Sequence, residues 1–262
     1  ALCGVASAAP LMDFEKGSVS LDYAYRPSLD FSGTGTASGY IGKPFYDPGK
    51  SFSYSISRDF DGDANLDLGL TFGIGNRLAL QYRQYNPAGT IWSGTVYQSG
   101  SNYVDMSLEG KIRSDEFNLL YGIDKHWAAF VGVVRSSGGV KAGFSGSYQS
   151  WTGGVTIPEL WSEERNNVHF GVVGSTVIAE KTHLWGLASF GGDYRNWEAG
   201  IAYDIGKDVQ FNVNYRDTKW DKIKYAGGSI HPPAGSGYEA SSAEVATDVS
   251  VKGWGFGITY KF

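Results

Sequence analysis

The side chains with the most chemical potential sit in one short run. Asp59-Phe60-Asp61-Gly62-Asp63-Ala64-Asn65-Leu66-Asp67 puts an oxygen donor at every second position. Carboxylates at that spacing suit a hard cation, and Asp59, Asp61 and Asp63 open the pattern of a calcium loop. The match is incomplete. The sixth position, where such a loop turns on glycine, is Ala64, and the twelfth, where a carboxylate closes the shell, is Leu70. An extended strand would also send these side chains one way without wrapping them around an ion, so a solvated acidic face competes with a metal site. The four histidines, His126, His169, His183 and His231, show neither zinc-ligand spacing nor a triad order. No phosphate-binding loop or dinucleotide fingerprint is present, and no cofactor is expected.

The remaining chemistry depends on which elements carry the charges. The chain has 262 residues with 37 Gly, 8 Trp, 17 Tyr, 14 Phe and one Cys, and a net charge of −5. An acidic balance without a Lys/Arg cluster argues against a nucleic-acid partner, which requires a basic face. The longest clean apolar stretch, Trp127 to Val134, is far too short for a membrane-spanning helix. Abundant Gly and aromatics with scarce Cys fit an all-β protein of an oxidising compartment. Ala6-Ser7-Ala8 matches the small-x-small site of signal peptidase, so residues 1–9 read as a signal remnant and 10–262 as one domain. A flexible terminus, an inserted plug segment or a lipid-bearing Cys3 are the alternatives, the last weakened by the bulky Leu2.

Period-two alternation dominates the rest. Leu66, Leu68, Leu70, Phe72 and Ile74 alternate with Asn65, Asp67, Gly69, Thr71 and Gly73, and Trp254, Phe256, Ile258, Tyr260 and Phe262 with small or polar residues. Similar segments recur near 19–25, 197–205 and 209–215. Each has one large apolar face and one small, polar or charged face. Tyr, Trp and Phe gather near strand ends, as at a lipid–water interface. Tight polar turns follow at Gly75-Asn76-Arg77, Asp124-Lys125-His126 and Gly206-Lys207-Asp208, with a fourth at Ala179-Glu180-Lys181-Thr182. Gly/Ser-rich stretches occupy the opposite ends.

On these residues the chain resembles the small bacterial outer-membrane β-barrel proteins. The Tyr260-Lys261-Phe262 ending resembles the aromatic C-terminal signature read by the barrel-assembly machinery. The resemblance implies an antiparallel up-and-down transmembrane β-barrel in the outer membrane, a monomer in contact with lipid and lipopolysaccharide. Rising strands fall near 17–27, 77–87, 127–145, 182–190 and 208–218, and descending strands near 51–74, 103–123, 165–178, 196–205 and 247–262. That makes about ten, with eight or twelve left open by a turn at Arg113-Ser114-Asp115-Glu116; a β-bulge there would instead explain why the alternation slips phase between Ile112 and Phe117. Segments 51–74 and 103–123 are long enough to project beyond the membrane.

On this register Asp22, Arg26, Asp67, Arg83, Glu116, His169, Glu198, Asp204, Arg216 and Lys261 face inward, beside Gly69, Gly73, Gly171, Gly200, Gly255 and Gly257. Charges of both signs in a narrow tube must pair or stay wet. Two readings follow. One is a narrow polar pore for ions or small solutes, favoured by the inward glycines. The other is a charge-plugged, structural or surface-binding barrel. An enzyme is not expected: omptin-type proteases need aspartate pairs and an Asp-His pair high on the barrel, and only His231 lies in an outer loop. Outer loops 28–50, 86–102, 146–164 and 219–246 carry Phe45, Tyr46, Trp92, Tyr97, Trp151, Trp161, Trp220 and Tyr238. These could bind a surface ligand or pack over the barrel mouth.

Overall fold

A computed structural model describes residues 14–43, 47–99, 102–148, 151–161, 164–225 and 239–262. Its strands are β1 (Val19–Arg26), β2 (Leu29–Lys43), β3 (Asp47–Gly62), β4 (Asn65–Gly75), β5 (Leu78–Tyr85), β6 (Ala88–Ser99) and β7 (Asn102–Gly122). They continue with β8 (Trp127–Tyr148), β9 (Trp151–Trp161), β10 (Arg165–Ala179), β11 (Thr182–Gly191), β12 (Tyr194–Asp204), β13 (Val209–Tyr225) and β14 (Glu239–Lys261). Neighbouring strands pair antiparallel in the ring β1-β4-β5-β7-β8-β10-β11-β12-β13-β14, and β14 returns to β1 to close a ten-stranded barrel. Closure leaves no unpaired edge in this ring, which a structure immersed in lipid requires.

The other four strands continue barrel staves above the membrane. β1 and β2 lie in succession along β14, broken at Pro27-Ser28, and β5 and β6 along β7, broken at Asn86-Pro87. Proline lacks the N–H a ladder needs, so the stave bends there. β3 runs into β4 through Asp63-Ala64, and β9 precedes β10 along β8. The stretches expected as outer loops therefore carry β2, β6, β9 and the upper ends of β3, β7, β8, β13 and β14. This corrects the loop assignment: the long outer segments find ladder partners in one another. Residues 1–9, with the cleavage pattern and Cys3, lie outside the described residues.

The turns arise where the sequence places them. Gly75 pairs with Leu78 across Asn76 and Arg77, whose φ values of 54° and 66° make the two-residue hairpin turn that matches strand twist. Asp124 accepts hydrogen bonds from the backbone N–H of His126 at 2.7 Å and of Trp127 at 2.9 Å, closing the β7–β8 turn. The Glu180-Lys181 and Ile205–Asp208 turns are equally short.

Alternation divides the faces. Leu66, Leu68, Leu70, Phe72 and Ile74 are all exposed on β4, while Asn65, Asp67 and Thr71 are buried inside. Eight residue steps at about 3.3 Å, tilted about 40°, give an apolar belt about 20 Å tall, close to the band of outer-membrane barrels. Tyr121, Trp127, Tyr203 and Tyr260 rim its periplasmic edge. Tyr25, Trp197 and Trp254 rim the other edge, with Tyr215 bridging Trp197 and Trp254 at 5.3 Å on each side.

Above the belt the polarity inverts. Ile112 is buried and Phe117 exposed, so the apolar residues change face along β7 although the strand does not change phase. Its register with β8 is unbroken from Tyr103–Ser147 to Gly122–Ala128, so the apparent slip is neither a bulge nor a turn. In lipid the outside must be apolar, whereas in water the inside must be.

Candidate functional site: the barrel lumen

Three layers fill the interior. The periplasmic layer is apolar on one side: Phe130, Val173, Trp185, Leu187 and Ala202 pack with Leu120, Ala128 and Phe14. Phe14 comes from the segment before β1 and lies over Gly122, where a Cβ would stand 2.7 Å from its ring. Glu15, next in sequence, packs its carbonyl over Gly73, and Gly17 N–H donates to the Gly73 carbonyl at 2.9 Å, so this segment folds over the β4 and β7 side of the periplasmic mouth.

The middle layer is ionic. Arg216, on β13, reaches Glu198 at 3.0 Å, Glu116 at 3.2 Å and Asp67 at 3.5 Å. Arg26, on β1, donates from Nε to Asp67 at 2.7 Å and from Nη1 to the Gly253 carbonyl at 2.9 Å. Arg83, on β5, donates to Glu198 at 2.7 Å. Three guanidiniums and three carboxylates thus form one charge-balanced cluster spanning the tube. Planar, always-charged guanidinium suits this role because each fork serves several carboxylates at once. Tyr194 donates to Glu116 at 2.5 Å, and the Tyr85 ring centroid lies 4.0 Å from the Arg216 guanidinium.

The upper layer is apolar again. Leu29, Phe31, Ile112, Val134, Trp220, Val249 and Val251 fill the barrel above the charges, with Trp220 stacked on Tyr85 at 6.0 Å. The dry upper layer keeps water from the ion pairs on the extracellular side.

The inward glycines make room for these side chains. A Cβ on Gly255 would stand 2.8 Å from Asn214 Oδ1 and 3.0 Å from Arg26 Nη1. One on Gly257 would meet Asn212 Oδ1 at 2.7 Å, and one on Gly200 the Trp185 Nε1 at 2.8 Å. The space they leave is occupied by packed neighbours.

Of the ten residues expected to line the lumen, Arg26, Asp67, Arg83, Glu116, Glu198 and Arg216 converge on the cluster. Asp22 stands just below it, accepting from Thr259 Oγ1 at 2.6 Å. His169 is buried near Glu116 between the Phe130 and Tyr194 rings, with no hydrogen bond at either ring nitrogen. Asp204 forms a separate periplasmic pair with His183 at 2.8 Å and accepts from Gln210. Lys261 is opposite Ser20 at the end of β14. Tyr85 and Tyr194 were not anticipated. The alternation of Ala79, Gln81 and Arg83 extends to Tyr85, but Tyr194 lies before the segment that reads as β12.

The acidic run is not gathered. Asp59, Asp61 and Asp63 project into solvent from one face of β3 and its exit, as a solvated acidic face would. Among the described residues no group of three or more His, Cys, Asp or Glu is placed to hold a metal. Of the outer aromatics, Trp220 belongs to the upper core. Trp92, Tyr97, Trp151 and Trp161 fall on β6 and β9, whereas Phe45, Tyr46, Tyr238 and His231 lie outside the described residues.

No protein-family model matches the sequence, and no curated protein does. Among solved structures, the outer membrane protease OmpT from Escherichia coli matches over 98% of this chain and 100% of its own, with a TM-score of 0.54 and 11% identity. The chain has the fold of bacterial outer-membrane β-barrel proteins. With its lipid-facing belt, this makes the outer membrane its location. The translocator domain of the autotransporter NalP from Neisseria meningitidis matches over 96% of this chain and 91% of its own, at a TM-score of 0.45 and 12% identity. The outer membrane protein OprG from Pseudomonas aeruginosa matches over 96% and 99%, at 0.32 and 13%. The likeness to OmpT overturns the exclusion of an enzyme drawn from the sequence. That exclusion rested on missing histidine motifs, but the same fold carries a protease in another bacterium, so the architecture leaves catalysis open.

Proposed function

We propose that the protein is a non-conducting outer-membrane barrel that works through its extracellular β-extension, as a surface-binding protein. The observation that carries this reading is the layered lumen, in which a balanced six-residue ion cluster spans the tube beneath an apolar plug and above a layer that is apolar on one side. A conducting path would have to break several short ion pairs and wet the dry upper layer, and removing one partner of such a pair costs about 3–5 kcal/mol. The inward glycines, which favour a pore when counted in sequence, support the plug once their neighbours are considered. The extension, built from β2, β3, β6, β9 and the upper ends of β7, β8, β13 and β14, is the surface offered to the exterior. The contact between the Tyr260 and Phe262 rings at 4.5 Å supports reading the two together as the signal for barrel assembly.

Single-channel recording of the refolded barrel in a planar bilayer tests this, beside a gel that reports folding by heat-modifiable mobility. A folded band without discrete currents is expected. Steady currents from the folded band would instead make it a channel, with Arg83 and Arg216 as its selectivity residues.

A further inference from the structure

Above the membrane the strands part into two sheets, β13-β14-β2-β3 and β6-β7-β8-β9. β3 and β6 pair only at Gly62 and Gly89, and β12 leaves β13 at Tyr194, opposite Trp220. Among the described residues, edges are thus left open on β3, β6, β9 and the upper ends of β13 and β14. An open edge is a row of unpaired N–H and C=O groups, and proteins blunt it with charge, proline or a bulge.

Four of these five edges are blunted. β3 carries Pro48, Lys50, Arg58, Asp59 and Asp61, and upper β14 carries Glu239 and Glu244. β6 breaks register with β7 between Thr90 and Trp92 and again between Thr95 and Tyr97. At the top of β13 the Asp221 N–H donates to the Asp193 carbonyl at 2.7 Å, and Lys222, at a φ of 57°, sits in a bulge. β9 is different. Trp151-Thr152-Gly153-Gly154-Val155-Thr156-Ile157 has no charge and no proline, and it pairs with residues 142–148 of β8 without a shift. Its other edge meets no strand among the described residues. Pro158, Glu159 and a register shift come only below it, where the chain approaches β10.

We propose that this edge of β9 takes an extended segment of another protein as an added antiparallel strand. The inference rests on the extension being the binding surface proposed above, and it names the partner's chemistry. The edge offers main-chain donors and acceptors at the strand repeat, which another extended backbone matches. β-Branched and aromatic residues in the incoming segment suit an edge of Trp, Val, Thr and Ile. A second copy in the same membrane does not fit. β9 descends toward the membrane in both copies, so their edges would meet parallel. A segment of a chain outside the membrane has no such restriction.

Amide hydrogen exchange of the barrel refolded in lipid nanodiscs, followed by NMR, tests the edge. The probe is a peptide copying residues 142–148, the sequence that β9 already pairs with on its other side. Alternate N–H groups of β9 bond to β8, and the rest point to the free edge. Without peptide, the outward set within residues 151–157 should exchange fast. With peptide about tenfold above its Kd, that set should slow by about tenfold, and the set bonded to β8 should slow less. A copy of the peptide with Phe144→Pro and Ser145→Pro should have no effect. Outward amides that are slow before peptide is added would mean that the chain covers its own edge. No slowing at about 1 mM peptide would mean that the edge takes no strand. Either result overturns the proposal, as does equal slowing by the proline peptide. Clustering of barrel-bearing vesicles without peptide would put a second copy from an opposing membrane on the edge, and would overturn it too. None of these readouts depends on conduction, so single-channel currents would overturn the non-conducting barrel and leave the result on β9 standing.

Discussion

Glu198 and Arg216 are direct cross-strand partners on β12 and β13, and their side chains also meet at 3.0 Å in the lumen. The ion cluster is built outward from this pair. Arg216 extends it to Glu116 and Asp67, and Glu198 extends it to Arg83 and Arg26. Each of the two is the hub for charges of the opposite sign.

Removing one hub should therefore cost more than removing both. Arg216→Ala leaves three acids facing two arginines and should destabilise the barrel by about 3–5 kcal/mol. The double variant E198M/R216M leaves two of each sign, balanced, and refills the volume with apolar atoms, so it should be less destabilised than Arg216→Ala. Urea unfolding in lipid vesicles, followed by gel mobility, measures both. A double variant at least as unstable as the single one would show that the cluster's value lies in its particular contacts and not in its charge balance.

The polarity inversion along the barrel predicts opposite responses to the same substitution at different heights. Leu70→Arg puts a cation on the lipid face near mid-belt and should cost about 2–4 kcal/mol. Ile112→Arg buries one in the upper apolar layer and should be at least as damaging. Asp59→Arg, on the solvated outer face of the extension, should stay within about 0.5 kcal/mol of the parent. The same vesicle titration ranks the three, and a neutral Ile112→Arg would contradict a dry upper layer.

Asp124 links one turn to pH. Hydrogen bonds from the His126 and Trp127 backbone N–H groups hold its carboxyl below the ordinary value of 3.8. A carboxylate depressed in the folded state contributes stability that is present above the unfolded value and lost as pH falls through the folded one. The difference in unfolding midpoint between the parent and Asp124→Ala should thus be constant from neutral pH down to about 5 and shrink below about 4. A difference that does not change with pH would mean that the turn does not depend on the ionised form.

The fold was legible because its signals are local. A strand alternates its side chains whatever its partners, so the outward run Leu66 to Ile74 and the inward positions of Asp67, Arg83 and Arg216 follow from the pleat alone. Three of the four short turns follow from Asn, Asp and Gly at fixed offsets, and the fourth, Glu180-Lys181, from two charged residues between apolar runs. The upper extension was harder to read. There Leu29, Phe31 and Ile112 point inward, so the outward apolar stripe that marks the staves below ends, and the Gly and Ser of β2, β6 and β9 imitate loops.

The sequence by itself determined that the chain is a membrane-spanning barrel and which of its charges face inward. Only the tertiary structure decided that these charges meet. Arg83 and Glu198 lie 115 residues apart, and Arg216 and Glu116 lie 100 apart. Whether an inward charge meets a partner, a water or an open path depends on the stagger of the strands when the ring closes, and on what neighbouring side chains place over each glycine. Both are properties of the closed ring, which no single strand carries.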